Sequence, residues 1–226
     1  MNEKTNEKTV HCLVVGEIAT NCWIYPLEDP ASAPDTARPC IVIDPGDEPH
    51  LIIDNLRKLN LYPKFILLSH GHFDHLGALP YLAAVFPAVI AIHKDESQYL
   101  GPRAGDAHKA VLRAALGGDF FQGDFGPLPE PGLFLSEGDE LGPFKVLHLP
   151  GHSPGSLAFY DEKAKVLFSG DTLFCDGFGR TDLPGGSTAE LEKSLKRLFS
   201  MDAEIRVFPG NGPETTIGRE QRIGSR

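Results

Sequence analysis

Short apolar runs, broken by glycine, proline and polar residues, recur along most of the chain, and their periods predict alternating strands and helices. Residues 10–15 and 21–25 read as paired strands, and 40–44 as a buried strand stopped by Pro45-Gly46. Between them, 26–39 is rich in Pro, Ala, Ser and Asp and reads as a hairpin loop. Residues 50–59 place Leu51, Ile52, Asn55, Leu56 and Leu59 at helical spacing. A strand at 64–68, a helix over 75–86 and a strand at 88–92 follow. The second half resumes with strands at 144–149, 157–160, 166–169 and 205–208 and a helix at 189–199. Ser187-Thr188-Ala189-Glu190 ahead of that helix forms a capping-box pattern, in which hydroxyl and carboxylate satisfy orphan amides.

Residues 94–132 interrupt this rhythm. A helix fits 104–116, but 117–132 is a glycine- and proline-broken loop holding Phe120, Phe121 and Phe125, rings that either line a pocket or pack beneath the loop. The segment reads as an insertion or lid. Residues 1–9 form a charged tandem tetrapeptide and read as a flexible lead. The expectation is one α/β domain over 1–226, built of two similar halves whose strand ends carry polar loops.

Composition narrows the function. Hydrophobic residues make up 41% and charged residues 23%, which is ordinary for a globular protein. The net charge of −10, from 21 basic and 31 acidic residues, argues against nucleic acid as a partner. No stretch reaches the ~18 apolar residues of a membrane span. Four scattered cysteines without CxxC spacing indicate neither a disulfide framework nor a thiolate metal site, and a cytoplasmic location fits them. Cys175 reads as a packed small residue rather than a nucleophile.

The chemistry concentrates in His70-Gly-His72-Phe-Asp74-His75, four metal-binding side chains in six residues, placed between an apolar strand and a helix. Imidazoles and carboxylates at this density suit zinc, iron or manganese. Three further turns follow strands: Pro150-Gly-His152-Ser-Pro-Gly155, Ser169-Gly-Asp171-Thr172 and Pro209-Gly-Asn211-Gly-Pro213. With Gly179-Arg180-Thr-Asp182, these segments in this order resemble the metallo-β-lactamase-fold superfamily, and within it the glyoxalase II-like (hydroxyacylglutathione hydrolase) branch. The resemblance runs from about Val10 to Gly218.

The resemblance implies a four-layer αββα sandwich with a two-metal site at one edge. By position, His70, His72 and His152 would hold the first metal, Asp74 and His75 the second, and Asp171 would bridge them. The chain departs from the family's Pro-Gly-His-Gly-Pro pattern at Asn211, and no histidine follows His152. Asn211 would offer a neutral amide oxygen to the second metal or hydrogen-bond a water, so one zinc is expected to bind tightly and a second weakly.

The implied activity is hydrolysis of a small-molecule thioester, such as an S-acylglutathione, by metal-generated hydroxide, with Asp74 also orienting the hydroxide or accepting its proton. Arg180 would grip a substrate carboxylate, or else pair with Asp182 to stiffen its turn. The chain stops fifteen residues after Asn211, which reads as a short form of the family. Alternatives are a mononuclear-iron persulfide dioxygenase-like enzyme, which shares the first-metal ligands, and a weakly active metal-binding homologue.

Overall fold

Successive side chains of a strand point to opposite faces, and here both faces of both sheets are covered. The computed structural model describes residues 9–27, 37–118 and 127–224. The first half comprises β1 (His11–Val15), β2 (Thr20–Pro26), β3 (Arg38–Ile43), α1 (Pro49–Lys58), β4 (Leu61–Leu67), α2 (Leu79–Val85), β5 (Val89–His93), α3 (Gly105–Leu116) and β6 (Leu133–Leu135). The six strands form a sheet in chain order, antiparallel from β1 to β3 and parallel from β3 to β6.

The second half comprises β7 (Glu140–Leu141), β8 (Phe144–His148), β9 (Leu157–Asp161), β10 (Val166–Gly170), the small hairpin β11 (Leu173–Phe174) and β12 (Gly177–Phe178), α4 (Thr188–Leu198), β13 (Arg206–Pro209), β14 (Thr215–Thr216) and α5 (Ile217–Gly224). Its sheet runs β14-β13-β10-β9-β8-β7, with β10 and β13 parallel.

Alternation sorts the strand residues into layers. On β2 and β3, Cys22, Ile24, Cys40 and Val42 pack with Ile52 and Leu56 of α1 and Leu79 and Leu82 of α2. Their neighbours Trp23, Tyr25, Ile41 and Ile43 turn the other way, to meet Phe144, Phe159, Phe168 and Phe208 of the second sheet. Leu147, Leu167 and Val207 face outward onto Leu191, Leu195 and Leu198 of α4. The result is the expected αββα sandwich. Its central layer is aromatic: Trp23 meets Phe208 edge-on at 4.8 Å and Phe168 at 5.8 Å, and Tyr25 meets Phe144 at 4.9 Å.

Two expectations need correction. The helix read over 75–86 begins later. Phe73–His75 forms a 3₁₀ turn, and α2 starts at Leu79. The Pro45-Gly46 corner docks there: Ala78 N–H donates to Pro45 O at 3.0 Å, and a Cβ on Gly77 would lie 2.5 Å from Gly46 O. The Ser187 box is half formed. Ser187 Oγ accepts the Glu190 amide at 3.3 Å, but the Ser187 amide donates to Gly151 O at 2.7 Å, and Glu190 pairs with Lys193. Phe120, Phe121, Phe125, most of the 26–39 loop and nearly all of the 1–9 lead lie outside the described residues.

Candidate metal centre

The carboxyl ends of β3, β4, β8, β10 and β13 lie along one edge of the sandwich, and the turns that follow them carry the polar cluster. Backbone bonds fix this edge: Leu157 N–H donates to Ser69 O at 2.8 Å and Asn21 N–H to Gly210 O at 2.7 Å, both across the two sheets, and Gly210 N–H donates to Gly170 O at 2.8 Å within the second.

His70, His72 and His152 are brought together although 80 residues separate the last two. His70 Nε2, His72 Nδ1 and His152 Nε2 stand 2.9–3.2 Å apart, pairwise. A tetrahedral ion with Zn–N bonds of ~2.0–2.1 Å spaces its ligand nitrogens by roughly 3.3 Å, so the trio is close to ligand spacing. The outer nitrogens set the tautomers. His152 Nδ1 donates to Arg180 O at 2.8 Å, leaving a lone pair on Nε2. The Ser69 hydroxyl gives its proton to Asp44 at 2.7 Å and so accepts from His70 Nδ1 at 3.0 Å, with the same result. Burial, then the neighbouring imidazoles, pushes His70 well below the ordinary imidazole range; burial, then His152, pushes His72 down to about 3. These rings are neutral, as metal ligands must be.

Beside the trio, His75 Nε2 lies 3.3 Å from Asp171 Oδ1 and 3.4 Å from Asp74 Oδ2, poorly aligned for a hydrogen bond with either. Asp171 Oδ2 is 3.7 Å from His152 Nε2, so this carboxylate presents one oxygen to each group. Burial alone would lower His75, but Asp171, Asp74 and Asp44 together carry it well above the ordinary value. The carboxylates that hold a proton there would equally hold a cation. Gly210 keeps the space open: a Cβ would sit 2.2 Å from Asp171 Oδ1 and 2.8 Å from His75 Cε1. Buried nitrogen and oxygen atoms at ligand spacing and without partners are what a divalent metal satisfies, and the donor set fits one.

Asn211 behaves differently from the histidines. Its amide nitrogen donates to Ile18 O and Ala19 O, both at 3.2 Å, and its backbone bridges Thr20, tying the last loop to the β1–β2 turn. The Arg180 guanidinium is half exposed and grips Asp182 through two 2.7 Å bonds, so the stiffening pair is what forms, and its carbonyl orients His152. Another acid–thiol group, Cys175, Asp176 and Glu220, surrounds the Arg219 guanidinium, which already supplies its cation.

Sequence patterns miss Asp44, Ser69, Glu96 and Thr20. Asp44 takes the Ser69 amide and hydroxyl at 2.7 Å each and His75 Nδ1 at 3.1 Å. Thr20 Oγ1 reaches Asp74 Oδ2 at 3.4 Å. The available signal for Asp44 is an acidic residue at a strand end before Pro-Gly.

The Metallo-beta-lactamase superfamily model matches residues 35–210. Probable metallo-hydrolase YqgX of Bacillus subtilis (strain 168) is 34% identical over 213 residues, covering 92% of each chain. Hydroxyacylglutathione hydrolase GloC of Haemophilus influenzae is 35% identical over 193 residues, covering 83% of this chain and 87% of its own. The crystal structure of TTHA1623 in a di-iron-bound form shares 38% identity at a TM-score of 0.75, covering 94% of this chain and 98% of that one.

Proposed function

The chain belongs to the metallo-beta-lactamase superfamily and is a metallo-hydrolase; from that premise we propose that it cleaves a thioester of the S-acylglutathione type. The observation that carries the reading is the convergence of three imidazole nitrogens at 2.9–3.2 Å beside a partnerless Asp171 oxygen. A relative at 35% identity named hydroxyacylglutathione hydrolase supports the thioester class.

His70, His72 and His152 would hold the first ion, and His75 and Asp74 the second, with Asp171 between them. When bound, the metal acidifies water from a pKa of about 15.7 toward roughly 7 and polarises the acyl carbonyl. Zinc suits the nitrogen-rich trio, and iron suits the same donors. Asp74, its side chain a quarter exposed and its carboxyl held ionised by His75, would orient the attacking water as well as face the second ion, with Oδ2 set toward His75 and the Thr20 hydroxyl. Asp182 occupies the Nε–Nη2 edge of Arg180. That pairing leaves Nη1 and one Nη2 proton for a substrate carboxylate. With Asn211 offering at most a neutral amide oxygen where the family has an imidazole, and its amide nitrogen tied to Ile18 and Ala19, the second group would bind its ion more weakly than the first.

The test is to quantify the metals of the purified protein and assay S-lactoylglutathione against a simple oxygen ester such as p-nitrophenyl acetate. Roughly one tightly held ion per chain and preferential thioester cleavage are expected. A metal-free preparation that still cleaves, or a preference for the oxygen ester, overturns the reading.

A further inference from the structure

Glu96 stands in the 3₁₀ turn Lys94–Tyr99 that follows β5, and it is fully buried. Its Oε2 accepts the Gly71 amide at 3.0 Å and its Oε1 the Gly155 amide at 2.7 Å. Gly71 separates His70 from His72, and Gly155 closes the turn that carries His152. One carboxylate thus spans two loops, issuing from different sheets, that together supply the three-imidazole group. The fit is close: a Cβ on Gly155 would lie 2.6 Å from Glu96 Cγ, and one on Gly71 would lie 2.1 Å from the Tyr99 ring. On the other side of the turn, His148 Nε2 donates to Pro154 O at 2.9 Å.

Glu96 is met by hydrogen-bond donors but by no cationic side chain among the described residues. Burial raises its carboxyl group, against the bonds from Ser153, Gly155 and Gly71, and its one charged neighbour of note is another acid, Asp95. Among the described residues no lysine or arginine pairs with it. Removing an unpaired carboxylate from water is costly, yet both its oxygens accept backbone protons, the arrangement of an ionised acid. The three imidazoles nearby bring no negative charge of their own to a divalent ion and share the Asp171 carboxylate with the His75 group, which has Asp74 and Asp44 around it as well.

We propose that Glu96 is a positioning residue for the first metal: it holds the His70–His72 loop and the His152 turn at ligand spacing and supplies the negative charge their imidazoles lack. This rests on the metal-dependent reading above. Glu96→Gln keeps the shape, removes the charge and turns one acceptor into a donor that faces a backbone N–H. Glu96→Asp keeps the charge and shortens the reach.

Chelator-stripped wild type and both variants are titrated with Co²⁺ against a competing chelator, read by the visible absorption of bound cobalt, alongside thermal melts with and without the ion. The first equivalent is expected to bind Glu96→Gln about 10–100-fold more weakly than wild type, with Glu96→Asp in between. The rise in melting temperature on adding Co²⁺ should shrink in parallel, a change that a role confined to the metal-free fold would not produce. Binding by Glu96→Gln within twofold of wild type overturns the proposal. Failure of the wild type itself to bind Co²⁺ contradicts the metal-dependent reading instead. A measurement independent of variant folding is hydrogen exchange in wild type, where Co²⁺ should slow the Gly71 and Gly155 amides together; unchanged exchange at both also overturns the proposal.

Discussion

His75 Nδ1 lies 3.1 Å from Asp44 Oδ2, the same oxygen that takes the Ser69 hydroxyl proton at 2.7 Å. One buried carboxylate therefore orients His75 directly and His70 through Ser69, fixing the nitrogen that each presents to the centre. Residue 44 has φ 53°, a left-handed conformation that Asn tolerates nearly as well as Asp. Asp44→Asn should keep the corner but weaken metal binding about 10–100-fold. Chelator competition on the purified variant measures this, and unchanged affinity would remove Asp44 from the metal centre.

Asn211→His should bring the metal content from near one toward near two per chain after dialysis against low free metal. The same change removes the two 3.2 Å bonds to Ile18 and Ala19. Hydrogen bonds at such half-exposed positions contribute about 0.5–1 kcal/mol each, so the metal-free variant should also melt slightly earlier. Elemental analysis of both proteins reads the first effect and calorimetry the second.

Phe168 is 1% exposed and packs between Trp23, Tyr25, Phe144 and Phe208 at the centre of the sandwich, three residues before Asp171. Phe168→Ala should cost about 3–5 kcal/mol through lost contacts and a cavity. Urea denaturation of metal-free protein measures this loss apart from metal binding.

Arg197 holds Glu137 with bonds of 2.7 and 2.8 Å, and the His148 amide adds a third at 2.8 Å. The arginine first, and then the amide, keep this carboxyl below its ordinary value of 4.5. A depressed acid contributes stability that is present above its unfolded pKa and lost as pH falls through the lower folded one. The pair is half exposed, so solvent limits it to about 0.2–1 kcal/mol. In melts between pH 6 and 3, Glu137→Gln should begin less stable than wild type and converge with it below pH 4.5; parallel curves would show that the pair contributes nothing.

The candidate ligands His70, His72 and His75 are legible in the sequence because they crowd one short turn after a strand, whereas His152 and Asp171 sit in turns that gain meaning only from the order of segments that resembles the family. Asp44, Glu96 and Thr20 are not legible, because each acts on residues 25 to 59 positions away through side-chain reach. The longer strands and the two similar halves are legible from the apolar runs, and the four-layer sandwich from the family resemblance, but β7, β11, β12 and β14 are two residues long and too short to show a period. The start of α2 is misread for a related reason. Leu76, Leu79 and Leu82 fit a helical stripe, although the turn before them is tightened to aim His75 inward.

Zinc titration of chelator-stripped protein, with S-lactoylglutathione hydrolysis followed at each addition, tests the catalytic role of the three-imidazole group most directly. Hydrolysis should be absent without metal, rise through the first equivalent in wild type, and stay absent from His152→Ala at every equivalent. Full activity in the stripped protein, or in His152→Ala, would contradict it.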